Sequence, residues 1–301
     1  MTKPIFQSGI QSSSLNASLP GPFDHPVPVQ KSVAPFKLSL NQLTTLRWSL
    51  LEEVSQVKQT GYDAIGLWRP KLAEFGEERA AEMLQRARLP VSSLSFAGGF
   101  TGSCGFSYLE AIADGRQAIE QAQILGAETV IMVGGAQHGH TDRHCRRLVV
   151  DALRKLADAA GSAGIKLSLL PMHRYFSKRW TFLNSLDQAL CMLSAVDSRQ
   201  VCLTFDTYHL WQEPGLVDRI PEIAPLTGIV QLSDCNQSPT SDRDRLLPGQ
   251  GIIPLPKIIQ AFQMAGYSGY FDVQVWSGNV WKSNYSHQIE QCQATVKAMS
   301  L

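Results

Sequence analysis

Eight times between residues 36 and 300 the chain repeats one cycle: a short apolar run, a loop with polar residues or glycine, then an amphipathic segment of helical length. The apolar runs fall at 37–41, 64–68, 91–96, 129–133, 166–170, 201–205, 228–232 and 270–275. They are short and bounded by turn residues, which is the signature of buried strands. The segments between them, at 49–60, 72–88, 108–126, 143–163, 184–196, 217–224, 255–266 and 285–299, are read as helices. Ser49 followed by Glu52 forms a capping-box start, each side chain satisfying a free backbone amide of the other. Gly61, Gly126, Gly164 and Gly266 stand just past the last periodic residue of four helices, where a left-handed cap costs glycine least. Strict alternation implies parallel strands, and eight such units close a sheet on itself. The expected fold is therefore a single-domain α/β chain, a (β/α)8 TIM barrel over residues 36–301.

Residues 1–35, rich in Ser, Pro, Gln and Gly without periodicity, read as a flexible extension. With 27 Lys+Arg against 26 Asp+Glu there is no basic excess of the kind a nucleic-acid surface needs. No apolar run approaches the roughly 18 residues of a membrane span, and the N-terminus lacks the order of a signal peptide. The six cysteines are scattered and include no C-x-x-C, so they are expected as reduced thiols of a cytoplasmic protein. The expected partner is a small molecule, with no nucleic acid and no membrane; a homo-oligomer is left open.

In such a barrel the reactive groups sit just after the strands. The stretch Val201 to Trp211 is the most informative, because its apolar run delivers Asp206 and then His209 into the mouth, and a buried carboxylate must find a partner. Around it the strand ends place Asn41 and Gln42, Trp68 and Arg69, the 97–105 loop, 134–140, 170–173, Gln231 and Asp234, and Gln274 to Trp276. Polar, aromatic and glycine residues of this kind suit a small sugar or polyol.

These residues resemble the xylose isomerase-like TIM barrel family, which includes sugar-phosphate isomerases and epimerases, D-tagatose 3-epimerase and myo-inosose dehydratase. The likeness runs over about 36–300. It is carried by Leu38-Ser39-Leu40-Asn41 with Thr44 and Thr45, Ile65 to Trp68, Pro171-Met172-His173, Phe205 to Trp211, Arg245 to Gly251, and Phe271 to Val275 with Trp281. The resemblance implies a divalent metal, Mn or Mg, held by ligands from strands five to eight, and two glutamates that move the protons. Position by position, Leu170 and Gln274 stand where those glutamates would be, Asp206 where the strand-six aspartate is, and Gln231 where the strand-seven ligand is. A metal on Asp206 and Gln231 is thus expected to be weak or absent, since affinity follows ligand charge.

Two imidazoles, His173 and His209, remain as candidate catalytic groups, because an unperturbed pKa of about 6.5 makes them competent acids and bases. Asn41, Trp68, Asp206, Gln231, Arg245, Gln274 and Trp276 are the expected substrate contacts. The bland readings stand beside these: Asp206 as a turn cap, His173 as a solvated loop residue, and Trp68, Trp211, Trp276 and Trp281 as rim packing rather than a sugar-stacking wall. His138, His140 and His144 read as a loop entering a helix more than as a metal site, and Asp234 as an orienter of Arg245. Gly98, Gly99, Gly102 and Gly105 do not fit a dinucleotide loop, so no nucleotide cofactor is expected; they read as a mobile loop over the mouth. The function expected is a sugar or polyol isomerase, epimerase or related dehydratase with a degenerate metal site. The alternative is a non-catalytic carbohydrate-binding or accessory barrel. An apurinic-site endonuclease is disfavoured by the missing acids and the absent basic surface.

Overall fold

The computed structural model describes residues 35–102 and 105–301. The strands are β1 (Lys37–Asn41), β2 (Ala64–Trp68), β3 (Val91–Gly98), β4 (Thr129–Val133), β5 (Lys166–Leu169), β6 (Val201–Asp206), β7 (Thr227–Leu232) and β8 (Tyr270–Val273). The helices are α1 (Leu50–Thr60), α2 (Arg69–Phe75), α3 (Glu77–Ala87), α4 (Tyr108–Leu125), α5 (Asp142–Ala163), α6 (Leu186–Val196), α7 (Thr207–Leu210), α8 (Leu216–Ile223), α9 (Leu255–Met264) and α10 (Tyr285–Met299). All neighbouring strands are parallel and β8 returns to β1, from Lys37 opposite Tyr270 to Leu40 opposite Val273, so the sheet is a closed (β/α)8 TIM barrel. The extension expected at 1–35 lies, apart from Pro35, outside the described residues.

Local rules explain most boundaries. Ser49 and Glu52 make the capping box of α1, and Ser107 with Glu110 repeats it on α4. Gly61, Gly126 and Gly164 close α1, α4 and α5 in the left-handed conformation. The helix expected over 72–88 is two helices, because Gly76 at φ 94 breaks the run. Strands β5 and β8 stop one or two residues short of their expected ends, yet Leu170 and Gln274 still donate backbone N–H groups to Met132 and Leu232 at 2.9 and 3.0 Å. Both side chains therefore remain at the mouth. Removing the α1 cap with Ser49→Ala should lower stability by about 1 kcal/mol, read as a shift in the urea midpoint with unchanged slope.

The apolar core lies between the sheet and the helices. Leu38, Leu67, Leu94, Val130, Leu203 and Val230 are fully buried there, and Phe205 packs edge-on against Phe262 of α9 at 5.0 Å. The inside of the barrel carries many polar side chains beside Ile131 and Ile229, where branched apolar side chains usually dominate. The Ser39 and Ser92 hydroxyls meet at 2.6 Å although β1 and β3 are not adjacent strands, and Asn41 donates to Asp272 at 2.8 Å. Gly66 makes this meeting feasible, since a Cβ there would sit 2.5 Å from Asn41 Nδ2 and 3.0 Å from Asp272 Oδ1.

Candidate functional site at the barrel mouth

Asp206 ends β6 with no exposure, and its Oδ1 accepts the Tyr208 N–H at 2.9 Å, so it both caps α7 and reaches the mouth. Its other oxygen meets Arg245 Nη1 at 2.8 Å. The same Nη1 donates to Gln274 Oε1 at 2.7 Å and to Ser233 Oγ at 3.2 Å, while Nη2 lies 2.9 Å from His209 Nε2. The guanidinium carbon stands 4.4 Å over the Tyr208 ring, and the Tyr208 hydroxyl bonds to Asp244. Three of the expected site residues, Asp206, His209 and Gln274, thus converge on a fourth, the buried cation of Arg245.

The electrostatics follow from that convergence. Arginine has no lone pair to offer, so His209 Nε2 must accept and the ring proton sits on Nδ1. A neutral imidazole accepts at one nitrogen only, and the charge-assisted 2.9 Å contact prevails over the 3.3 Å approach of the His173 N–H to Nδ1. Burial holds the His209 pKa well below its ordinary value and Arg245 adds to this, so the ring stays neutral. Burial pushes the Asp206 carboxyl up, while Arg245 and the Tyr208 and His209 amides pull it back. His173 is half-buried, its pKa lowered by burial and then by Arg174, and its Nδ1 accepts the Tyr175 N–H at 3.2 Å.

The remaining expected residues lie apart from this cluster. Asn41 and Gln231 face the barrel interior beside Asp272: Asn41 bonds to Asp272, and strand register pairs Asp206 with Gln231 and Gln231 with Asp272. Both amide atoms of Gln231 are buried without a hydrogen-bond partner among the described residues. Trp68, Trp180 and Trp281 surround Trp276 with ring centroids 6.3, 6.4 and 5.8 Å away, forming a wall at the rim. The Asp234 side chain makes no hydrogen bond to Arg245 but accepts the N–H groups of Gly249, Gly251 and Ile253 at 2.9 to 3.0 Å. The rings of His140 and His144 lie 4.9 Å apart, with Arg147 on His144 Nδ1, and no group of three or more potential metal-binding His, Cys, Asp or Glu occurs among the described residues. The mobile-loop expectation falls partly on residues 103 and 104, outside the described residues.

Sequence reasoning gave no role to Asp272, Trp180 or Ser233. Asp272 carried a signal, an acid inside the apolar run Phe271-Asp272-Val273; the other two carried none beyond their position after strands.

Above the cation lies a narrow cavity of about 40 Å³ lined by Phe96, Leu170, Met172, Phe176, Trp180 and Trp276 as well as His209, Asp242, Arg245 and Gln274. A larger one of about 430 Å³ adjoins Arg69, Gly98, Gly99 and Gln121 and shares Phe96 and Trp180 with it. The second is of small-ligand size.

A closed eight-stranded barrel with a polar, aromatic-walled mouth defines the class. Residues 54–296 match the xylose isomerase-like TIM barrel family, and the chain belongs to it. An inosose isomerase of Bacillus velezensis is 23% identical over 274 residues, covering 87% of this chain and 96% of that protein. A 3-dehydro-D-guloside 4-epimerase of Escherichia coli is 25% identical over 237 residues, covering 74% and 85%. Among solved structures, a Sinorhizobium meliloti protein superposes with a TM-score of 0.81 at 27% identity, covering 87% of this chain and 98% of that one. The IolI protein with a bound zinc atom superposes at 0.77 and 22% identity, covering 88% and 98%.

The residues present do not fit such a metal. Asp206 is the single carboxylate in the cluster, its Oδ2 is turned to Arg245, and so are Gln274 Oε1 and His209 Nε2. Leu170 has no donor to give. A divalent ion about 4 Å from the guanidinium would meet repulsion on the order of 8 kcal/mol at an effective dielectric of about 20.

Proposed function

We propose that this chain is a sugar or polyol isomerase or epimerase whose ligand enters between Trp276, Trp180 and Phe96 and turns its oxygens toward Arg245, with no metal at Asp206. The observation that carries the reading is the Asp206, His209, Gln274 and Arg245 cluster at the floor of an aromatic-walled mouth. The names of the relatives support the substrate class: inosose isomerase, 3-dehydro-D-guloside 4-epimerase and D-psicose 3-epimerase. His209 is committed to Arg245 as an acceptor, which leaves proton transfer to His173. His173 Nδ1 accepts the Tyr175 N–H in the free protein; in the tautomer protonated on Nδ1, which gives up that contact, Nε2 removes the proton from the carbon next to the substrate carbonyl, the electron pair passes to the carbonyl oxygen as an enediolate, and the imidazolium returns a proton to that carbon. A cytoplasmic setting belongs to the proposal; no helix of the described residues is long and apolar enough to cross a membrane, and Cys145, Cys191, Cys202, Cys235 and Cys292 are free.

The second reading, a carbohydrate-binding barrel without catalysis, is favoured by one observation: Leu170 and Gln274, at the ends of β5 and β8, offer no carboxylate base. Incubating an inosose, D-psicose and a 3-keto glucoside with the protein in D2O separates the two. The expected result is protein-dependent deuterium uptake next to the carbonyl, unchanged by EDTA and reduced at least about 10²-fold by His173→Ala. Binding without uptake establishes the second reading, and neither binding nor uptake removes both.

A further inference from the structure

We propose that the Arg245 guanidinium is the resident cation of this site, built into the position and charge role that a metal would take. Two observations carry this.

The first is how the cluster is filled. Asp206 Oδ2, Gln274 Oε1, Ser233 Oγ and His209 Nε2 all point their lone pairs at one guanidinium, at 2.7 to 3.2 Å. These come from β6, the residue after β8, the residue after β7, and α7, so one arginine ties together the ends of three strands.

The second is rigidity. Both neighbours of Arg245 are pinned in the backbone: Asp244 bridges to Ser277, and Leu246 pairs with Asp234 through two bonds of 2.8 and 2.9 Å. Tyr208 lies under the guanidinium and bonds to Asp244, holding the plane from a third side. A long arginine normally gives up much rotamer freedom to hold one geometry. Here the surrounding fold has already fixed it.

The cation assignment is tested without any sugar, so failure of the isomerase reading leaves it standing and its own failure is seen separately. Elemental analysis and Mn2+ titration followed by electron paramagnetic resonance are run on the wild type and Asp206→Asn. The expected result is no stoichiometric metal in either; stoichiometric metal in the wild type that Asp206→Asn loses would overturn the proposal, and the wild-type arm of the measurement needs no destabilised variant. In parallel, Arg245→Gly is melted in millimolar guanidinium chloride and in equal NaCl. Guanidinium is expected to raise its Tm above the NaCl control in a saturable way, while the wild type and Arg245→Lys show no such rise. Equal response to the two salts would also overturn the proposal.

Discussion

Arg245→Ala is expected to cost about 3–5 kcal/mol of folding free energy, which for a barrel of this size is on the order of 10 °C in Tm. The size comes from what is left behind. Asp206 is fully buried and would keep only backbone N–H partners, while Gln274 Oε1 and His209 Nε2 would each lose their donor. An unpaired buried charge is far more costly than the pair is favourable. Replacing both partners, Arg245→Leu with Asp206→Leu, should therefore recover most of the loss, and a double-mutant cycle by urea denaturation measures it. Additive losses would mean the two side chains do not act as a unit. The deficit should also depend on pH with a definite sign. Without the guanidinium, the folded-state pKa of Asp206 rises further above its unfolded value, so the variant is relatively more stable in acid and loses ground as pH rises. Scans at acidic and mildly alkaline pH should show the gap to wild type widening.

The architecture was readable because each level of the chain repeats the same message. Five- and six-residue apolar runs, capping signals at Ser49 and glycines at helix ends all describe the alternation seen in the barrel. The places that escaped are of another kind. Gly76 lies inside a periodic pattern, and only its φ of 94 splits α2 from α3. The convergence on Arg245 was visible as a set of names but not as a geometry. Periodicity places Asp206 and Gln274 at the mouth, yet nothing in one dimension says that a residue on a loop 39 positions beyond Asp206 will spend its cation on both. The same holds for His209, whose value as a base depended on a neighbour that the spacing does not reveal. Asp272 is the opposite case: its position in an apolar run was plain, but its partner Asn41 is 231 residues away and belongs to the strand that closes the barrel.

Asp272→Asn is expected to stabilise the protein by roughly 2–3 kcal/mol at pH 8 and by almost nothing near pH 4. Burial raises the Asp272 carboxyl from 3.8 to about 6, with Asp206 adding to the rise and the Asn41 hydrogen bond and the nearby polar groups of Ser39 and Gln231 opposing it. The folded chain thus binds a proton that the unfolded chain has released between about pH 4 and pH 6. The stability this group contributes is fully present below the lower value, falls as pH rises through the upper one, and is constant beyond it. Asparagine keeps an acceptor for Asn41 Nδ2 and carries no charge, so it removes this slope. Urea midpoints taken from pH 4 to pH 8 on wild type and variant read the difference directly; a wild type that gained stability over that interval, with the variant flat, would reverse the assignment. The charge balance of the barrel supplies the reason. Arg245 is matched by Asp206 alone, so a protonated Asp272 leaves the interior neutral and an ionised one leaves it with an unmatched negative charge beneath the site. That charge is tolerated at neutral pH because Asn41 is held against the carboxylate and Gly66 leaves room for the contact.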